Sequence, residues 1–377
     1  MITIEKRRTL QLSTTIAVSV LSIVLAFAIS SVVLAIMGYE PLKVFSITFQ
    51  KTFFQTKGIL ENIVMLIPLT LCALSVAFAA KCGMWNIGVE GQFFAGAIAA
   101  TGIAQAFPGL PPYLLIPLMF VAGAVAAGLV CLIAALPRVF WGISEILTTI
   151  LISNIVTFFV KFLVYDAWHD KGTVAAQTAE FVPAAKLPTL IPNSRIHVGL
   201  IIAAAVVVLV YYVLKYTVFG YEMRAVGENP SAARYSGINV RRYILLSMFV
   251  SGCLAGIAGM LEVSGIVFRL QPSISADYGF SAFVIAWVAR LNVGAIIIIG
   301  YLFAGLIVAG FKMQMMGFPP SLTVLFKGLV LLLVLAGELL TFYRIGWTRR
   351  RRAAQGGAAH APAEALSVDP SCKDEEE

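Results

Sequence analysis

Two polar stretches interrupt long apolar runs and carry side chains that could do chemistry. The first is KCGMWNIGVEGQ, where Asn86, Glu90 and Gln92 supply two amides and a carboxylate. Beside an apolar helix such groups must be hydrated, paired or hydrogen-bonded. At membrane depth, non-helical backbone survives only where protein buries it or a water-filled cavity exposes it. The stretch therefore suggests hydrogen bonds to a polar solute, and a cytoplasmic turn with Glu90 near a helix N-terminus is the alternative.

The second stretch is RLQPSISADYGF, which contains Asp277 and Tyr278. It too could face a solute, although for Asp277 a plain outside loop is favoured. Glu145 and Glu262 each lie near the end of an apolar run. We expect both to be interfacial or paired charges rather than proton carriers, because unpaired carboxylates inside a membrane are costly; an ion-coupled transporter would need one of them as its buried carboxylate.

A third polar stretch, VGENPSAARYSGINVRRY, contains the start and stop residues of a complete short helix. Asn229 suits the N-cap, Pro230 the first helical position and Gly237 the left-handed C-terminal position. The predicted helix, Pro230 to Ser236, is about 10 Å long and needs docking contacts, because helix nucleation is costly. It could be a plug received by a soluble partner or a helix resting on the bilayer. The residues concerned are Asn229, Pro230, Ser231, Ala232, Ala233, Arg234, Tyr235, Ser236 and Gly237, with Ala232, Ala233 and Tyr235 as contact surface.

Composition indicates the elements that must position these residues. Of 377 residues, 60% are hydrophobic and 12% charged, about half the charge of a soluble domain. Apolar runs near 20 residues can cross a hydrocarbon core of about 30 Å, and the short alternating segments of a membrane barrel are absent. We predict an all-α polytopic membrane protein. The net charge of +8 is clustered beside the apolar runs, which favours topology signals over nucleic-acid binding.

About ten membrane helices are predicted, the third and eighth being short. They form a transmembrane domain over residues 1–352, with halves at about 12–164 and 198–342, followed by a disordered cytoplasmic tail at 353–377. The expected spans are about Leu12–Met37, Leu60–Ala80, Phe93–Phe107, Pro112–Leu136, Ile143–Val164, Val198–Tyr216, Tyr243–Val267, Phe280–Ala289, Gly294–Met313 and Leu322–Phe342.

Basic residues set the expected topology. An even helix count places both termini on one side, and the positive-inside rule makes that side cytoplasmic, together with the loop 220–241. Lys43, Lys51 and Lys57 fall outside in this scheme, and they could lie on an interfacial helix.

The two halves share one layout, in which two spans, a polar break and a short span are followed by two more spans. This layout predicts a 5+5 inverted repeat, a common transporter architecture. Small residues from Ser251 to Gly259 predict close helix packing. The sequence holds no Walker A loop, zinc-binding His–Glu pair or candidate catalytic triad, so no enzyme is expected and no catalytic, cofactor or metal residue is assigned.

Three segments resemble the permeases of ABC importers for simple sugars and nucleosides, which form one family with ribose and branched-chain amino acid permeases. They are the first polar stretch, GYEMRAVGENPSAARYSGINVRRY and GFSAFVIAWVARLNVG. The similarity is closest to the nucleoside-type branch and spans about Ile59 to Phe342.

The resemblance implies a permease in a bacterial cytoplasmic membrane that works by alternating access. It further implies a second related permease or a copy of this chain, an extracytoplasmic substrate-binding protein and a cytoplasmic ATPase with two cassettes. ATP and Mg would belong to that ATPase and no cofactor to this chain. It also makes residues 229–237 the coupling helix and makes Asn86, Glu90 and Gln92 solute-path candidates. An ion-coupled secondary transporter of a small polar solute, or a membrane scaffold, are the other hypotheses.

Overall fold

The computed structural model of the chain describes residues 2–6, 12–192 and 194–347. The predicted cytoplasmic tail lies outside the described residues. Within them the chain is overwhelmingly helical, as its composition predicts, and apolar helices enclose the two polar breaks.

The first half contains six helices, several of which are longer than a hydrocarbon core requires. The short second helix and a π-helical turn, Gln50–Phe54, occupy the region predicted to be interfacial. The helices are α1 (Leu12–Ile36), α2 (Pro41–Phe49), α3 (Thr56–Lys81), α4 (Val89–Ala106), α5 (Pro112–Trp141) and α6 (Glu145–Phe162).

The second half contains seven helices, two of them overlapping the predicted cytoplasmic loop 220–241. They are α7 (Gly199–Tyr216), α8 (Val218–Glu228), α9 (Pro230–Tyr235), α10 (Val240–Glu262), α11 (Tyr278–Val288), α12 (Val293–Met315) and α13 (Pro320–Phe342). Two strands, β1 (Ile2–Lys6) and β2 (Tyr343–Trp347), pair antiparallel. This pairing brings the two ends of the described chain together.

Each of the ten predicted spans coincides with one of these helices, but not all of them meet the length and hydropathy expected of a crossing. Among the described residues seven helices do so. α11 has 11 residues, about 16 Å of helix against a core of about 30 Å. The all-α polytopic class is therefore confirmed, while the count of ten remains a prediction.

Helices α3 and α10 form the centre of the bundle. Their most apolar windows are 83% and 67% buried, against 22% for both α7 and α13. The small residues of α10 explain its depth, because a Cβ on Gly256 would lie 2.3 Å from the carbonyl oxygen of Gly123 on α5. The predicted close packing of this segment is confirmed.

The central helices are exchanged between the halves. α10 packs on α4 and α5 of the first half, while α3 packs on α11 and α12 of the second. Each central helix therefore completes the other half's core.

The long loop between α6 and α7 is tied to the end of α10. Thr178 and Phe181 donate backbone hydrogen bonds to Leu270 and Phe268, at 3.0 and 2.8 Å. His197 is 1% exposed, and its Nδ1 accepts from the Gly199 amide at 3.1 Å. Burial, reinforced by the nearby Arg195 charge, lowers the pKa of His197 from 6.5 to about 4. This histidine is consequently neutral at physiological pH.

Candidate functional site

The two polar breaks meet in space. The carboxylate of Glu90, at the start of α4, accepts a hydrogen bond from the backbone amide of Gly279 at 2.7 Å, in the first turn of α11. Carboxylates are favourable at helix N-termini because unpaired amides and the helix dipole point towards them. A Cβ on Gly279 would lie 2.3 Å from the Glu90 nitrogen. Glycine is therefore required for this junction to close as it does.

Tyr278 extends the junction towards the centre of the bundle. Its ring packs on that of Phe93, with centroids 5.6 Å apart, and is 1% exposed. Its hydroxyl donates to the sulfur of Met65 at 3.1 Å and lies 3.5 Å from Oε1 of Glu262. Tyr278 thus contacts both central helices.

Asn86 and Gln92 form a closed amide pair. Each donates to the other's oxygen at 2.8 Å, and Asn86 also donates to the Ser251 hydroxyl at 2.8 Å. Ser251 in turn donates to the Ser75 carbonyl at 2.7 Å. Both amides are at most 2% exposed. In this conformation the pair braces the first break against α3 and α10 and is not open to a solute.

Asp277 stands at the edge of the second break. Its side chain is 54% exposed and pairs with Lys327 of α13. Lys327 also donates to the Ala276 carbonyl at 2.8 Å. Asp277 and the Ala276 carbonyl therefore attach the second break to α13 through Lys327.

Above the junction lies a cavity of about 290 Å³, on the same side of the bundle as the α6–α7 loop. Tyr278 lines it, whereas Asn86, Glu90, Gln92 and Asp277 do not. The walls are mostly apolar, with a few polar groups from four separate segments. The polar and charged lining residues are Glu61, Arg195, Glu262, Ser273 and Tyr278.

The two carboxylates expected to be paired differ in the structure. Glu145 is paired, since its Oε2 lies 3.4 Å from Arg138 and its Oε1 accepts from the Trp85 amide at 3.4 Å. Glu262 is 3% exposed and lines the cavity. Among the described residues no hydrogen-bond partner reaches its Oε2. The expectation is confirmed for Glu145, whereas Glu262 is partnered on one oxygen only, because the Tyr278 hydroxyl donates to Oε1 at 3.5 Å and Oε2 is left without a donor from the described part of the protein.

Sequence reasoning missed an aromatic cluster below the junction. Trp85, in the first break, stacks on Trp287 of α11 with centroids 5.1 Å apart, and Phe283 packs beside both. The cluster was missed because the aromatic residues lie in separate segments, with no spacing that joins them. Glu61 and Arg195 of the cavity were missed for the same reason, since each, taken separately, resembles an ordinary charge at the end of a membrane span.

The short polar helix forms as predicted. Oδ1 of Asn229 accepts from the amides of Ser231 and Ala232 at 3.1 and 3.0 Å. Gly237 ends the helix with φ of 83°, and the Ile238 amide donates to the Ala233 carbonyl at 3.0 Å. Both caps are thus confirmed.

The orientation of this helix corrects the expected contact surface. Ala233 is 4% exposed and packs inward, whereas Tyr235 is 94% exposed. Ala232 and Arg234 are also exposed. Ala233 therefore anchors the helix to its own chain, and an outer partner would meet Ala232, Arg234 and Tyr235.

α8 connects this helix to the first break. A Cβ on Gly227, near the end of α8, would lie 2.3 Å from the Lys81 carbonyl oxygen and 3.0 Å from the Gly83 nitrogen. This backbone contact lies at the base of the segment that carries Asn86 and Glu90.

The fold and the site together define a helical membrane transport protein: two polar breaks meet inside a bundle beneath a cavity, with a capped helix on one surface. The chain matches the family described as "Branched-chain amino acid transport system / permease component" over residues 58–335. It belongs to that family. It is a permease and not itself an enzyme.

Comparison with characterised proteins gives relatives of similar length. The glucose ABC transporter permease protein of Haloferax volcanii is 31% identical, over 97% of this chain and 98% of its own. The nucleoside ABC transporter permease protein of Lactococcus lactis is also 31% identical, over 81% and 87%. The guanosine ABC transporter permease protein of Bacillus subtilis is 27% identical, over 86% and 94%.

Proposed function

We propose that this chain is the permease subunit of an ABC importer for a nucleoside or a related simple sugar. The observation that carries the proposal is its similarity, over most of its length, to permeases named for glucose, nucleosides and guanosine. The missing Walker motif fits a subunit whose energy comes from a separate ATPase.

The partners follow from the same assignment. A cytoplasmic ATPase with two cassettes would grip α9, a second permease or a copy of this chain would complete the path, and an extracytoplasmic protein would deliver the solute. ATP and Mg would be bound by the ATPase. The exposed ridge of Ala232, Arg234 and Tyr235 is consistent with a docking role.

The expected architecture is ten helices in a 5+5 inverted repeat, with both termini in the cytoplasm of a bacterial cell. Two observations support it. The exchange of α3 and α10 involves the second predicted span of each half, and the pairing of β1 with β2 is consistent with both ends lying on one side. The cavity then faces outward and α9 faces the cytoplasm.

Alternating access would work through the contact between α8 and the first break. Movement of α9 by the ATPase would shift α8 against Lys81 and Gly83, and this would move Glu90 relative to Gly279. Breaking the Glu90–Gly279 hydrogen bond opens the junction. Asn86 and Gln92 reach the solute path only if their mutual pair also separates.

Reconstitution in proteoliposomes tests the function. With the ATPase and the binding protein present, uptake of radiolabelled uridine or glucose should require ATP. Uptake driven by an ion gradient without any ATPase would establish the secondary-transporter hypothesis instead. Uptake of leucine but neither solute would assign the chain to amino acid transport.

A further inference from the structure

The outward cavity contains a buried acceptor that the protein itself leaves unsatisfied. Glu262 is 3% exposed, and within the described chain Oε2 has no hydrogen-bond partner. Its other oxygen, Oε1, accepts a long hydrogen bond of 3.5 Å from the Tyr278 hydroxyl. Burying a carboxylate with one oxygen unpartnered is costly, and ionisable groups at membrane depth commonly mark a solute path. Oε2 itself is enclosed, so a hydrogen-bond donor on a solute in the cavity would satisfy it once the Glu262 side chain rotates towards the space.

The charges around Glu262 indicate what kind of solute fits. The second carboxylate of the cavity, Glu61, is neutralised by Lys312 at 2.9 Å. Arg195 lies on the lining, is exposed and attracts Glu262 electrostatically. One carboxylate and one guanidinium thus face the space, with no large excess of either sign. A neutral solute bearing both donors and acceptors matches this pair better than an ion does.

Hydroxyl groups are such donors and acceptors. Two neighbouring hydroxyls can donate to the two oxygens of one carboxylate, and acidic side chains bind ribose hydroxyls in this way in dinucleotide folds. The volume of about 290 Å³ is at the small end of ligand sites, which typically begin at about 300 Å³. Apolar walls, including Val308 and Phe311, suit the hydrophobic faces of a sugar ring or base.

We propose that this cavity is a binding site within a single permease subunit for the sugar ring of the solute. Glu262 accepts hydrogen bonds from adjacent ring hydroxyls, and Arg195 donates to a ring or hydroxyl oxygen at the rim. Tyr278 forms the floor and links the site to the Glu90–Gly279 junction. The proposal rests on the proposed function, whose named solutes share a polyhydroxylated ring.

Binding of analogues to the full chain in lipid nanodiscs tests the proposal. Saturation-transfer NMR titrations would give dissociation constants for uridine and 2′,3′-dideoxyuridine, and for D-glucose and 2-deoxy-D-glucose. Because hydrogen bonds to charged groups are the strong ones, the unaltered chain should bind its preferred solute about tenfold or more tightly than the deoxy partner. Equal affinities within each pair would overturn the proposal without requiring any variant to fold.

Two variants then locate the discrimination. Glu262→Gln keeps the shape but not the charge, and the preference should fall to about threefold or less. Glu145→Gln removes a different buried carboxylate, outside the cavity, and should keep the full preference. A Glu262→Gln chain that discriminates as well as the unaltered one would refute the site while leaving the transport function standing. A chain that binds leucine but none of the four probes would refute the transport function itself.

Discussion

The proposed coupling role of α9 can be tested by removing the side-chain amide that caps its N-terminus. Replacing Asn229 with Ala removes the acceptor of two backbone amides, those of Ser231 and Ala232. Loss of an N-cap typically costs about 1 kcal/mol, within a range of about 0.5–2. α9 has six residues, so it has little intrinsic helix stability to offset the loss.

That loss translates into affinity for the ATPase. If the cassettes bind α9 only as a formed helix, about 1 kcal/mol weakens binding about fivefold, since 1.4 kcal/mol corresponds to tenfold. Biolayer interferometry between the nanodisc-embedded chain and its ATPase measures this change. Asn229→Asp retains an acceptor and should restore most of the affinity.

A matched control lies ten residues further along the chain. Asn239 caps α10 by accepting from the Arg242 amide at 3.1 Å, but α10 has 23 residues and is held by the bundle. Asn239→Ala should therefore leave ATPase binding within about twofold of the unaltered chain. The reasoning fails if Asn229→Ala binds the ATPase normally, or if both variants weaken binding equally.

Three further predictions concern the outer loop, the brace and the junction. The pKa of His197 is about 4 when folded against 6.5 when exposed, so the unfolded chain binds more protons between these values. Stability should therefore be complete above about pH 6.5 and fall towards pH 4, by about 2 kcal/mol at pH 5. Thermal unfolding against pH should show a flatter slope for His197→Gln, and an unchanged slope would contradict the assignment. Asn86→Ala leaves the buried Gln92 amide without its partner and should cost about 1–3 kcal/mol in chemical denaturation. The exposed Gln55→Ala should cost almost nothing, and equal losses would show that the amide pair is not a brace. Glu90→Ala should reduce uptake in proteoliposomes by about tenfold or more while the assembly still co-purifies, whereas Glu90→Gln, which retains an acceptor for the Gly279 amide, should lose less. Normal uptake by both Glu90 variants would remove Glu90 from the path.

Local signals predicted the helices and caps well. The Asn229 side chain accepts the first free amides, and Gly237 adopts a positive φ because it lacks a Cβ, so the short helix could be predicted from its residue types alone. Small residues at helical spacing likewise predicted the packing of α10, because only close neighbours fit beside them. Such features depend on a few adjacent residues.

Features that depend on distant segments could not be predicted in the same way. Glu262 looks like an interfacial charge until Tyr278, Met65 and the cavity are placed around it. Ala233 looks like contact surface because the sequence does not say which side of α9 faces its own chain. The environment of Glu262 and the orientation of Ala233 both depend on packing between segments that are far apart in the sequence. No local sequence pattern reports such packing.

The exchange of α3 and α10 has a consequence for biogenesis. When α3 enters the bilayer, its polar Ser75 carbonyl and the following Asn86 still lack Ser251, which is synthesised 176 residues after Ser75. Neither half can complete its own packed core. The N-terminal half therefore remains an incompletely packed intermediate in the membrane until α10 is inserted. Translation of α10 is the commitment step, and truncation before it should leave a product open to quality-control proteolysis.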